Sequence, residues 1–157
     1  MTVKEIINHC RDHGFMSGIE RDKSRIKETA EVFTPLSLVN EMLDALPQEL
    51  FTDESKTFID NACGDGQFLS EILIRKVENG IGLEQALTTI FGVDIMQDNV
   101  DLCRNRLLCG QEHLRNIVEK NIVCADGLTY NYTFEPVDDT RATLFPFIDF
   151  NKFGSKK

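Results

Sequence analysis

The chain has 157 residues, the size of a single domain, and at 41% hydrophobic and 27% charged it is composed like a globular protein. No apolar run is long enough to span a bilayer, and the N-terminus MTVKEIINHCRDHG carries acidic residues and no long apolar stretch, unlike a signal peptide. The formal charge is −9, and residues 32–127 carry all of it, with seven basic against sixteen acidic side chains, so this segment is a poor surface for gripping phosphates and any DNA contact needs other segments or another chain.

Val3, Ile6, Ile7 and Cys10 fall at helical spacing and predict a short amphipathic helix at the start. HGFMSG ends it, and the charged stretch IERDKSRIKETAE follows as a helix or an extended surface segment. In VFTPLSLVNEMLDALP, Thr34 is expected to cap a helix with Pro35 at its first position. Leu36, Val39, Met42, Leu43 and Leu46 form its apolar face, Pro47 closes it, and residues 48–56 read as a polar connection.

TFIDNA reads as a buried strand and CGDGQ as the turn that ends it. Phe68, Leu69, Ile72, Leu73 and Val77 then mark a helix that stops at Asn79-Gly80. LEQALTTI is a second short helix before the strand FGVDI. A helix from about Asp98 to Leu108 buries Val100, Cys103, Leu107 and Leu108, and NIVCAD is a third short strand, preceded by room for one more helical stretch. Strand, helix, strand, helix, strand is the pattern of a parallel α/β sheet. Beyond Asp126, GLTYNYTFEPVDDTR is polar and turn-rich, LFPFIDFNKF has the makings of one more strand interrupted by Pro146, and GSKK reads as a frayed end. The expected organisation is an N-terminal helical segment over 1–31, a core over 32–128 and a tail over 129–157.

The five cysteines, Cys10, Cys63, Cys103, Cys109 and Cys124, are odd in number and show no CxxC spacing. They read as reduced, mostly buried thiols of an intracellular, cytoplasmic protein. His9, Cys10 and His13 place two imidazoles one helical turn apart, but nothing nearby completes a metal set, so a solvated helix face is expected there and no metal.

Three short segments carry chemistry. In DNACGDGQF (60–68) a strand runs into a glycine turn and then a helix, which makes a ligand site at the strand's carboxyl end. Gly64 and Gly66 let the backbone approach a ligand, and the helix start offers free amides. A glycine turn of this kind also serves any α/β protein. In GVDI (92–95), Asp94 is placed to accept from the two hydroxyls of a ribose, with Ile95 against an adenine face; by itself Asp94 reads better as a helix cap. In NIVCADGL (121–128), Asp126 is placed to accept from an exocyclic amine; by itself it is a common turn aspartate. Together, Asp60, Asp94 and Asp126 fall at three strand ends of one parallel unit and line one edge of one sheet.

With these segments in order, the chain resembles the class I adenine-specific DNA methyltransferases of restriction–modification systems, which bind S-adenosylmethionine. EVFTPLSLVNEML is similar to their N-terminal Phe/Tyr-Thr-Pro motif, DNACGDGQF to their glycine-rich motif, FGVDI to their ribose-binding motif and ADGL to their adenine-contacting motif, over about residues 25–128. The resemblance implies a partial Rossmann-like methyltransferase fold, three-layer α/β/α, with a mostly parallel sheet of three or four strands. It implies that Phe33, Thr34 and Pro35 sit over the methionine moiety and that Asp60, Ala62, Gly64 and Gly66 shape its pocket. Asp94 and Ile95 would hold ribose and adenine, and Asp126 the adenine amine, with Gly127 and Leu128 beside it. Asn61 stands where the family commonly has proline, and LEQALTTI is an insertion.

One family motif is absent. The catalytic Asn/Asp-Pro-Pro-aromatic element has no counterpart, because Pro35, Pro47, Pro136 and Pro146 are all isolated. FIDFNKF offers Asn151 and Phe153 without prolines. The implied chain stops short of that motif and lacks the remaining strands and a target-recognition domain. It is expected to be inactive alone or to need a partner, as a homo-oligomer or with a second subunit completing the sheet. The other readings are a non-catalytic methyltransferase-like protein that modulates a restriction–modification system, and a small-molecule methyltransferase with an unusual active site.

Overall fold

The computed structural model describes residues 1–12 and 34–134. IERDKSRIKETAE, Phe33 and LFPFIDFNKF lie outside the described residues. Among the described residues, no helix is long and apolar enough to cross a membrane.

Helix α1 (Val3–Cys10) forms as its spacing predicts, with Ile6 and Cys10 buried. Thr2 and Glu5 close a reciprocal capping box, a device whose loss costs about 1 kcal/mol. Helix α2 spans Leu36–Asp44. Pro35, expected at its first position, instead stands one place outside, and Thr34 makes no cap. The proline ring fixes φ at −58°, but ψ is 145°, and a helical residue needs both. The apolar face is also narrower than expected: Val39 and Leu43 are buried, while Met42 and Leu46 are exposed.

The connection over 48–56 is not merely polar. It contains the short helix α3 (Glu49–Thr52), whose Phe51 is buried and stacks on Phe58 with ring centroids 5.3 Å apart. Burying such a side chain contributes about 1.5–3 kcal/mol. Strand β1 (Phe58–Asp60) follows, then helix α4 (Gln67–Glu78), which ends at Asn79 and Gly80 as read from the sequence. Helix α5 (Leu83–Leu87) is the inserted segment, and strand β2 (Ile90–Asp94) comes next. Helix α6 (Gln97–Leu108), a 3-10 turn (Glu112–Leu114), helix α7 (Arg115–Asn121) and strand β3 (Ile122–Cys124) complete the described elements.

The three strands are parallel, in the order β1-β2-β3, so the fold is the α/β unit that the alternation implied. Asp60 pairs in register with Gly92, and Asp94 with Cys124. Side chains alternate across a strand. One face therefore carries Ile90 and Gly92 against α4, where a Cβ on Gly92 would meet Leu69 at 2.8 Å. The opposite face carries Ile59 and Phe91, flanked by α7. Lys76, buried on α4, ties the start of the sheet together: its Nζ donates to the Lys56 carbonyl at 2.7 Å and to Thr89 Oγ1 at 2.8 Å. Burial lowers its pKa.

β1 is less buried than a central strand should be. Ile59 is 55% exposed on an incompletely covered face, and among the described residues no strand pairs with β1 on the side away from β2. A groove of about 640 Å³ opens beside it, lined by Ile59, Phe91, Ile117, Tyr132 and Phe134 among others. The start of the tail is not only polar turn: Tyr130 and Phe134 pack edge to face, and Phe134 packs on Phe91 at 4.9 Å. All five cysteines are free; four are buried and Cys124 is exposed.

Candidate functional site

Asp60, Asp94 and Asp126 stand at or just beyond the carboxyl ends of β1, β2 and β3, side by side along one edge of the sheet. All three make the same local bond. Asp60 Oδ1 accepts from the Ala62 amide at 3.1 Å, Asp94 Oδ1 from Met96 at 2.9 Å and Asp126 Oδ1 from Leu128 at 2.9 Å. Each carboxylate thus turns its own chain at the strand end, which leaves its other oxygen directed elsewhere.

Asp94 does most of the joining. Its Oδ1 also accepts from Asn99 Nδ2 at 3.1 Å, and its Oδ2 accepts from the Gly64 amide at 3.0 Å. The second bond fastens the glycine turn to the end of β2. Asn99, fully buried one turn into α6, was not evident from the sequence. A polar side chain beside Val100 on the helix's buried side was the available signal. Desolvation by burial raises the pKa of Asp60, and the neighbouring charge of Asp94 adds to this, against the lowering effect of the Ala62 amide. The folded state therefore binds that proton more readily than the unfolded chain. This contribution to stability grows as pH falls through the raised pKa and is lost above it.

The turn between Asp60 and α4 requires its glycines. Gly66 has φ +89°, in the left-handed region, and a Cβ there would come within 2.8 Å of Cys103 Sγ. At Gly127 a Cβ would collide with the Asn61 carbonyl oxygen, so only glycine lets the loop after β3 close on the loop after β1. The Tyr132 hydroxyl holds that loop by donating to the Gly127 carbonyl. Above this floor two apolar side chains stand free: Ile95 is 61% exposed and Leu128 92%. Ala62 is exposed on the rim, and Thr34 and Pro35 stand at the head of α2, which packs on α4. Phe33 lies outside the described residues.

Beneath the turn lies a charged cluster that the sequence reading did not single out. Asp65 and Arg106 are each 1% or less exposed, with Arg106 Nη1 3.4 Å from Asp65 Oδ1 and Arg106 Nη2 donating to Gln67 Oε1 at 2.7 Å. Arg106 lies between Cys103 and Leu107 on the apolar side of α6. A charge in that position was the signal for a buried partner.

The family model for N-6 DNA methylases matches residues 20–143. The chain belongs to the N-6 DNA methylase family. Neither a curated protein nor a solved structure matches it. The match spans the glycine turn and all three strand-end aspartates, and leaves α1 outside. N-6 DNA methylases generally draw their methyl group from S-adenosylmethionine. The glycines leave the backbone of this edge open to close approach, the three carboxylates are hydrogen-bond acceptors, and Ile95 and Leu128 are exposed beside them.

Proposed function

We propose that the chain is the S-adenosylmethionine-binding half of an adenine-specific DNA methyltransferase of the restriction–modification type, inactive alone or dependent on a partner. The observation that carries this is the alignment of Asp60, Asp94 and Asp126 over a glycine floor at one sheet edge, in an N-6 DNA methylase. In this reading Asp94 holds the ribose hydroxyls, Ile95 and Leu128 flank the adenine, and Asp126 takes the adenine amine. Asp60, Ala62, Gly64 and Gly66 receive the methionine part, with Phe33, Thr34 and Pro35 over it. The bound cofactor supplies an electrophilic methyl group; the residues of this chain bind and orient it. Titration calorimetry with S-adenosylhomocysteine tests the reading. One-to-one binding is expected, and the absence of both heat and thermal shift with either form of the cofactor would sink it.

DNA is the weaker side of the site. The acidic stretch over 32–127 repels phosphates, so at physiological salt the isolated chain is expected to bind duplex DNA with a Kd on the order of 10⁻⁴ M or weaker. Tight, sequence-dependent retardation in a gel by the chain alone would contradict this.

The same reading calls for association. Among the described residues no strand pairs with β1 on the side away from β2, Ile59 of that strand is exposed, and an apolar groove adjoins it. Such an edge invites pairing. A second copy or a partner subunit is expected to cover it. Light scattering on the chain with residues 135–157 removed should show self-association, whereas a monomer at high concentration would count against it.

A further inference from the structure

The last turn of α1 reaches the glycine turn through two buried charges. Arg11 binds Glu71 in a fork, Nε to Oε1 at 2.9 Å and Nη2 to Oε2 at 2.7 Å, and Glu71 is 1% exposed. Arg106 Nε donates to the Cys10 carbonyl at 2.7 Å. That carbonyl ends α1 and has no partner within its own helix, and a cation is favoured there. His9 Nε2 lies 3.0 Å from the Asn105 carbonyl oxygen. The same guanidinium of Arg106 faces Asp65, which lies between Gly64 and Gly66. With α1 in place, Arg11, Glu71, Arg106 and Asp65 sum to zero charge. Removing Arg11 takes the forked partner away from the buried Glu71 carboxylate.

We propose that α1 is a brace of the glycine turn, and that its docking, relayed by Arg106 to Asp65, sets the affinity of the site for its adenosyl ligand. The inference rests on the reading above, and it concerns a segment outside the N-6 DNA methylase match, which begins at residue 20. The physical need is plain. Gly64 and Gly66 both have positive φ, and glycines have cheap alternative conformations, so the turn keeps one shape only if its other residues are anchored. Asp94 anchors Gly64 from the strand side. Arg106 anchors Asp65 from below, and the Cys10 carbonyl fixes where the guanidinium lies. When the anchor slackens, the fraction of molecules with a competent turn falls, and apparent affinity falls with it. By reciprocity the ligand tightens the docking of α1.

Two full-length variants test this. Arg106→Lys keeps the charge but loses the planar fork that reaches the Cys10 carbonyl, Gln67 and Asp65 at once. The double variant Arg11→Ala, Glu71→Gln loosens α1 while sparing the core an unpaired carboxylate. Arg11 is 40% exposed in its side chain and glutamine has nearly the shape of Glu71, so this variant is the milder change, and its melting curve is recorded alongside. Each is expected to raise the Kd for S-adenosylhomocysteine about tenfold, within the usual range of coupling between sites. In the double variant the melting temperature should recover relative to Arg11→Ala alone while the Kd stays raised, a split that a merely structural role would not give. A folded double variant with a wild-type Kd overturns the brace. If the wild-type chain binds no S-adenosylhomocysteine, the cofactor reading falls, and the brace is judged by amide exchange. Faster exchange at Gly64 and Gly66 in the double variant supports it, and unchanged exchange overturns it.

Discussion

Asp94→Ala is expected to weaken S-adenosylhomocysteine binding by about 1.5–3 kcal/mol, roughly ten- to 150-fold, the range for hydrogen bonds to a charged group. The structure gives a reason to expect the upper part of that range. A carboxylate has about four acceptor positions. Met96, Asn99 and Gly64 take three of them, two on Oδ1 and one on Oδ2. Alanine therefore removes the ligand's acceptor and also releases the glycine turn from β2. Asp94→Asn keeps Oδ1 for Met96 and Asn99 but replaces Oδ2, which carries both the Gly64 bond and the acceptor position left for the ligand, so it is expected to weaken binding nearly as much as alanine while leaving the turn into α6 closed. Titration calorimetry on the wild-type chain and both variants checks this, with melting curves alongside. An unchanged Kd in a folded Asp94→Ala chain would remove Asp94 from the site.

The second large effect is an absence: the isolated chain is expected to transfer no methyl group to DNA. Transfer to an adenine amine needs the sulfonium methyl, a flipped base and acceptors aligned on the amine, all in one place. On the proposed reading, the strand-end site answers the first need only. Flipping needs a surface that grips the duplex, and the acidic charge over 32–127 opposes one. Alignment needs the Pro-Pro-aromatic element, and no two prolines of this chain are adjacent. The nearest polar candidates, Asp149 and Asn151 with Phe153, lie outside the described residues. Losing one positioning contact typically costs about a hundred- to a thousandfold, whereas losing all of the missing elements should leave nothing measurable. The assay is radiolabelled methyl incorporation into unmethylated DNA. Incorporation by the purified chain that disappears in Asp94→Ala would overturn this account and point to Asp149 or Asn151. Activity restored by a basic partner chain would agree with it.

The strand ends were legible because an aspartate followed by a turn is a local signal: Asp60, Asp94 and Asp126 each bond the amide two residues on, a contact that needs nothing distant. Helices α1, α4 and α6 were legible from the spacing of their apolar residues. Phe51 was not, since a four-residue helix shows no period and its burial depends on Phe58 across the chain. Ile59 misled in the other direction, because the apolar pair Phe58-Ile59 looks the same in a strand covered on both faces as in one with a face left open. The support beneath the turn was the least legible part. Asp65 and Glu71 carry no local sign of burial before α1, α4 and α6 are brought together, and the only trace of that pairing is the place of Arg106 between Cys103 and Leu107 on the apolar side of α6.

The most direct test of the adenosyl site is a nuclear magnetic resonance titration of the labelled chain with S-adenosylhomocysteine. The account predicts saturable, one-to-one shifts of the backbone amides of Gly64, Gly66, Ile95, Gly127 and Leu128. No shifts at these amides at millimolar ligand, or shifts confined to the groove at Phe91, Ile117 and Phe134, would contradict it.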